Sequence, residues 1–239
     1  MILAILLAIS SMSSADAVAI LLNSKSAIGA KTYSTAKEIV YRDARNGKPL
    51  QQFVIGVTTD DKDLSKRYLD SSRARILQLA EKRDNPLAWY LLSMEHNDFK
   101  MLRRAADGGN VQALNALGAI ATSEALSRPN LSTNELEHVL KASFDYFGKA
   151  AAKGDANGFV NLGACYLRGF GCKQDMAMAF QCFKSAAEKG HPEGMENVSA
   201  CYQFGHGVDR DDELSLYWAM RGRAARGDEA AEKWLRDRK

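Results

Sequence analysis

Strand-like alternation of apolar and polar residues is hard to find in this sequence, and proline is scarce, with 4 in 239 residues. Both shortages argue against a fold of short strands and frequent turns and leave helix as the main element. Charge of one sign is also lacking. The net charge is +3, with Lys and Arg spread among Asp and Glu. That balance supplies neither the basic stripe of a nucleic-acid reader nor the face of a membrane-surface protein. The 4 cysteines include no Cys-x-x-Cys clip, so the usual zinc spacings are missing. What the chain does have is apolar material: 46% of residues are hydrophobic and 26% charged, a composition that folds.

The N-terminus reads as a targeting segment. Met1 to Ile9 is almost wholly apolar, a Ser-rich stretch follows, and Ala15-Asp16-Ala17 has the small-x-small form of a signal-peptidase site. The apolar run is too short to span a bilayer as a helix. No Lys or Arg precedes it, so either the true start lies upstream or the segment is a hydrophobic first helix. The sequence therefore divides into a signal peptide at 1–17, an N-terminal helical cap at 18–46, a repeat array at 47–229 and a C-terminal capping helix at 230–239. A genuine signal implies export to a periplasm or beyond; without it the chain is cytoplasmic.

Self-similarity organises the rest. Asn161-Leu162-Gly163-Ala164-Cys165-Tyr166 leads to Gly169, Gly171 and Asp175. Asn197-Val198-Ser199-Ala200-Cys201-Tyr202 leads to Gly205, Gly207 and Asp211, each 36 residues further on. Six positions close successive units: Gly47, Asp84, Gly109, Gly154, Gly190 and Gly227. Glycine suits the left-handed residue that ends a helix. The next residue is Asn85, Asn110, Asp155 or Asp228 in four of the six, good N-caps for a following helix. Pro49, Pro86 and Pro192 come one residue later, in the first turn, where a missing N–H costs nothing. The intervals are 37, 25, 45, 36 and 37, which predicts about five helix-turn-helix units averaging 36 residues.

Small and aliphatic residues recur at fixed offsets within each unit. Gln51, Ala88, Ala113, Gly158, Gly194 and Ala231 stand four after the closing residue, and Gly56, Ser93, Gly118, Gly163 and Ser199 nine after. Small residues at that spacing let neighbouring helices approach closely. The unit at 85–109 is short, with only Glu95-His96-Asn97-Asp98 read as its linker. The unit at 110–154 is long, with an extra segment near 127–133 that holds Pro129; Ser132 and Glu135 there have capping-box spacing.

Few residues offer chemistry. The Gly-x-Gly loops lie between helices, so they read as tight turns rather than the phosphate cradle of a βαβ unit. Ser34-Thr35-Ala36-Lys37 has the Ser-x-x-Lys form of serine acylases but lacks the two companion motifs. It keeps open an exported hydrolase of β-lactamase-like type. Cys165, Cys172, Cys182 and Cys201, with His206, are compatible with free buried thiols, with one or two disulfides, or with a zinc site. Cys165 and Cys201 occupy equivalent positions on stacked helices, about 10 Å apart on packing grounds and too far to bridge. His96, His138, His191 and His206 lie near loops or helix ends and form no Cys-His or Ser-His-Asp set. No catalytic residue, metal ligand or cofactor is assigned.

The repeat resembles the Sel1-like repeat, a relative of the tetratricopeptide repeat, in its exported bacterial form. Tyr166, Gly169, Gly171, Asp175, Ala179, Ala186, Ala187 and Gly190 fill the pattern in one unit; Tyr202, Gly205, Gly207, Val208, Asp211 and Trp218 fill it in the next. Cys172, Cys182 and Ser199 depart from the usual Val, Trp and Gly, and the last unit carries one extra residue before Gly227. Cysteine-rich exported members bridge a pair eight residues apart, which this chain lacks. The resemblance implies an all-α superhelix, an α/α solenoid whose first helices line a concave face. It also implies a non-enzymatic scaffold or adaptor that binds another protein or peptide, with a regulator of a partner enzyme as a variant of the same idea. Nucleic acid is not an expected partner. By analogy with tetratricopeptide grooves, Asn115, Asn161, Arg168, Asn197 and Gln203 are the candidate partner-binding residues, since carboxamides can pair with peptide N–H and C=O groups. The alternative is that Asn161 and Asn197 simply bond neighbouring helices. Gly163, Tyr166, Gly169, Gly171, Tyr202, Gly205, Gly207 and Trp218 are the structural repeat residues.

Overall fold

The computed structural model describes residues 30–238 together with Ala17, Val18 and Leu22. The signal-peptide segment and its Ala15-Asp16-Ala17 site lie almost wholly outside the described residues. Twelve helices and no strand occur among them. We number these α1 (Ala30–Arg45), α2 (Pro49–Thr58), α3 (Lys62–Arg83), α4 (Pro86–His96), α5 (Phe99–Asp107), α6 (Val111–Ser127), α7 (Thr133–Ala152), α8 (Ala156–Arg168), α9 (Met176–Glu188), α10 (Pro192–Phe204), α11 (Asp212–Ala225) and α12 (Glu229–Arg236). The fold is an all-α solenoid of five helix pairs, α2/α3 to α10/α11, with α1 before and α12 after. Its residues form two compact units that divide at Asn110 and Val111.

All six closing residues have positive φ, from 45° at Asp84 to 92° at Gly227. Asp84 tolerates that conformation because its side chain is put to use. Its Oδ1 accepts from Trp89 Nε1 at 2.8 Å and Arg104 Nε at 2.9 Å, and the Arg104 guanidinium lies 4.5 Å from the Trp89 ring centroid. The caps that follow are made by Asn85, Asp155 and Asp228, whose side chains accept from Ala88, Gly158 and Ala231 N–H. Lys48 makes no side-chain cap.

In the first unit the core is Phe53, Val54, Ile55, Ile76, Ala80, Leu91 and Leu92, all fully buried. The linker of the short pair is tighter than its sequence suggests. Helix α4 runs on through Glu95 and His96, Asn97 turns left-handed at φ 51°, and Asp98 caps α5 through the N–H groups of Lys100 and Met101.

The second unit shows why small residues recur. A Cβ at Gly118 would lie 2.5 Å from the Phe147 ring, and one at Gly163 2.7 Å from the Phe183 ring. Ser199 holds the equivalent place, Ala219 stands 36 residues after Phe183, and the Ser199 hydroxyl donates to Ser215 O at 2.8 Å. Gly158 and Gly194 let α8 and α10 pass against the alanine pairs Ala150-Ala151 and Ala186-Ala187. The Gly-x-Gly loops have the same logic. Gly171 and Gly207 have φ of 69° and 72°. Added Cβ atoms would meet backbone carbonyls of the preceding unit, Leu140 O at 2.3 Å and Met176 O at 2.1 Å. Edge-to-face pairs Phe144–Tyr166 and Phe180–Tyr202, at 5.3 and 5.4 Å, link successive units. Tyr202 and Trp218 also pack on a core of Ala179, Phe183, Ala187, Met195, Val198 and Cys201. Helix α11 has 14 residues where α9 has 13, and this accommodates the extra residue before Gly227.

Candidate functional site

The long unit is where the regular pattern is broken, and the break builds a groove. Counting from the closing glycines, Ser123 of α6 is the equivalent of Arg168, the last residue of α8. Helix α6 does not stop there. It continues for another turn to Ser127, because no glycine follows Ser123 and the first breaker is Pro129. Helix α7 then restarts at Thr133 behind the Ser132–Glu135 capping box, in which both reciprocal bonds are present. The overshoot of α6 forms one wall of a groove of ≈ 500 Å³, a size suited to a ligand side chain or short segment.

Ala119, Thr122, Ser123, Leu126 and Ser127 form this wall; Asn161, Ala164, Cys165 and Arg168 of α8 form the other. Phe147 closes the base and Phe170 the end. Thr122 spends its hydroxyl on Gly118 O and Ser143 Oγ, which fixes the wall. Leu126 is 64% exposed, an aliphatic side chain left in water at the groove's rim. The Arg168 guanidinium lies over the Phe170 ring at 5.7 Å. Among the described residues it has no carboxylate partner, and it is the one charged group lining the groove.

The candidate residues separate by what they touch. Asn161 and Arg168 line the groove together. Asn115 Nδ2 donates to Asp155 Oδ2 at 2.7 Å, so its amide braces the cap of α8; its Oδ1 is buried without a hydrogen-bond partner. Asn161 and Asn197 are half-buried and make no side-chain hydrogen bond among the described residues. Gln203 is exposed near the end of α10.

A second polar connection was not apparent in the sequence. His191, 2% exposed, is the N-cap of α10. Its Nδ1 accepts from Gly194 N–H at 3.2 Å, and its Nε2 faces Asn157 Oδ1 at 3.0 Å. Accepting at Nδ1 requires that nitrogen unprotonated, so Nε2 carries the proton and donates to Asn157. Burial pulls the His191 pKa down to about 4, with the Asp155 carboxylate opposing that and Arg226 adding to it. The signal available in the sequence was position alone: His191 stands where Asn85, Asp155 and Asp228 stand.

The four cysteines are free thiols. Burial raises Cys165 to about 12 and Cys182 and Cys201 to about 11, and it raises Cys172 as well. Cys165, Cys182 and Cys201 are core side chains whose burial disfavours the thiolate, and Cys172 is half-buried. Among the described residues no cluster of His, Cys, Asp and Glu is placed to hold a metal. Ser34 and Lys37 are exposed on α1, and the Lys37 ammonium lies over Tyr41 at 5.7 Å. No helix among the described residues is long and apolar enough to cross a membrane.

Paired helices in a 36-residue frame, closed by left-handed residues and joined by Gly-x-Gly loops, define a helical-repeat protein. The sequence matches the Sel1 repeat family at residues 135–155, 160–191 and 192–219, together about a third of the chain. Residues 135–219 therefore carry Sel1 repeats. It is similar to a Sel1 repeat protein from Oxalobacter formigenes, at 24% identity over 53% of this chain and 90% of that one, with a TM-score of 0.46. It is also similar to c5321, a protective antigen of uropathogenic Escherichia coli strains with an SLR fold. There the identity is 22%, the TM-score 0.53, and the match covers 84% of this chain but 45% of that protein. No curated protein matches the sequence. At 22% identity the likeness to c5321 is one of fold.

Proposed function

We propose that this chain is a non-enzymatic scaffold that binds an extended segment of a partner protein along its first helices α6, α8 and α10. The observation that carries the reading is the α6–α8 groove, walled by the overshoot of α6 and carrying the Asn161 carboxamide with its donors and acceptor unspent. A half-buried amide without a partner satisfies its hydrogen-bonding capacity only by holding water or a ligand, and peptide backbone matches its donor and acceptor geometry. Asn197 repeats the group one unit further on. Asn115 serves structure in this reading, since its amide holds the cap of α8. The division into a signal peptide at 1–17, a cap at 18–46, an array at 47–229 and a capping helix at 230–239 belongs to the same proposal, and with it export and a partner in the envelope or medium.

The test is affinity capture from envelope and secreted extracts with immobilised protein, read by mass spectrometry. A partner retained by wild type and lost with Asn161→Ala/Asn197→Ala, in a variant that keeps its helical circular dichroism, supports the reading. Equal capture by both proteins places the binding surface elsewhere.

A further inference from the structure

We propose that the segment seated in the α6–α8 groove is acidic: an Asp or Glu side chain within it pairs with Arg168 while an adjacent aliphatic side chain packs between Leu126 and Ala164. This rests on the peptide-binding reading given above and adds the chemistry of the occupant.

Charge complementarity identifies the occupant. Arginine at the end of α8 has an ordinary use, since a cation there complements the helix dipole. That use does not require the groove, and it leaves the guanidinium's five donors unspent. Among the described residues Arg73, Arg104, Arg128, Arg210, Arg223 and Arg226 pair with carboxylates, while Arg103, Arg221 and Arg238 lie over aromatic rings without one. Arg168 is of the second kind, over the Phe170 ring, and it is the one among them that lines the groove. The guanidinium's free N–H groups can pair with a carboxylate bidentately. No acidic residue lines the groove to compete.

The rest of the lining fixes the neighbouring position. Leu126, Ala119, Ala164 and Phe147 are apolar, and Leu126 stays exposed until something covers it. The carboxylate belongs to a side chain inside the segment rather than to a chain end. Arg168 sits on the middle of the three first helices, with α6 before it and Asn197 of α10 beyond, so a segment crossing all three continues on both sides of it.

A random twelve-residue peptide library, C-terminally amidated, is selected on the full chain, and enriched peptides are measured by fluorescence anisotropy. The expected result is enrichment of Asp or Glu beside Leu, Ile or Phe. Arg168→Gln weakens binding about tenfold, the loss of one charge-assisted contact, Arg168→Lys falls between, and added salt weakens wild-type binding. Arg168→Gln is expected to fold, since the residue is exposed and has no carboxylate partner, and thermal melting checks this. Enriched peptides without acidic residues, insensitive to Arg168→Gln but weakened by Asn161→Ala, overturn the acidic assignment and leave the groove as a peptide site. Enriched peptides insensitive to both substitutions, or no enrichment at all, overturn both. Enrichment confined to a parallel library with free C-terminal carboxylates overturns the internal placement.

Discussion

Gly205 and Gly207 offer a comparison in which one variable changes. Both have left-handed backbones, at φ 70° and 72°, two residues apart in one loop. A methyl group at Gly205 finds room, its nearest neighbour being Val208 O at 3.7 Å. At Gly207 it would lie 2.1 Å from Met176 O and 2.4 Å from Met176 C, both main-chain atoms of the preceding unit at the start of α9. Gly205→Ala therefore costs only the left-handed conformation of an L-residue, about 1–2 kcal/mol. Gly207→Ala adds overpacking against backbone that cannot rotate away, about 1–3 kcal/mol more. Urea unfolding followed by circular dichroism at 222 nm measures both. The account predicts a lower midpoint for each variant and the larger drop for Gly207→Ala. Gly169→Ala and Gly171→Ala are expected to repeat the pattern, with Leu140 O as the obstacle for Gly171. Equal losses for Gly205→Ala and Gly207→Ala would show that the loops need glycine for conformation alone and do not dock one unit on the next.

Further outcomes follow from the packing and the titrating groups. Gly163→Ala drives a Cβ into the Phe183 ring at 2.7 Å and should destabilise by about 1–3 kcal/mol; Phe183→Leu in the same chain should recover part of that, a coupling readable in a double-mutant cycle. His191 is neutral in both folded and unfolded chains at pH 7. As pH falls below 6.5 the unfolded chain takes up a proton that the folded chain refuses until about 4, so stability drops across that window. The full difference is at most about 3 kcal/mol, and His191→Asn, which keeps a capping oxygen, should flatten the dependence between pH 7 and 4. Thiol titration in denaturant without reductant should count four free thiols. In the folded chain Cys172, the least buried, should react first, with Cys165, Cys182 and Cys201 slow.

The frame of this fold is legible in the sequence because backbone demands leave few residue choices. A left-handed closing residue selects glycine, and where it did not, Asp84 was identifiable only by its place in the count; its bonds to Trp89 and Arg104 join residues 5 and 20 positions away. Ser132 and Glu135 were readable as a capping box because both partners are local. The groove was less legible. Asn161 and Arg168 follow from repeat position, but their partnership depends on α6 running past Ser123, and Glu124 to Ser127 contain no residue that states where that helix ends. His191 is not legible as a cap in sequence because imidazole accepts a hydrogen bond at Nδ1 only in one tautomer, which its buried contact with Asn157 favours. Asn115 stands six residues after its closing glycine and Asn161 seven, and in the structure the Asn115 amide reaches Asp155 on the next helix.

The most direct test of the central claim places a photo-crosslinking amino acid at Ala164, inside the groove, and in a second protein at Lys184 on α9, outside its lining. Irradiation in the presence of envelope and secreted extract is followed by gel electrophoresis and peptide mapping. The account predicts one discrete adduct from Ala164, mapping to a contiguous segment of one protein and absent from Lys184. An adduct of the same partner from Lys184 and none from Ala164 would contradict it.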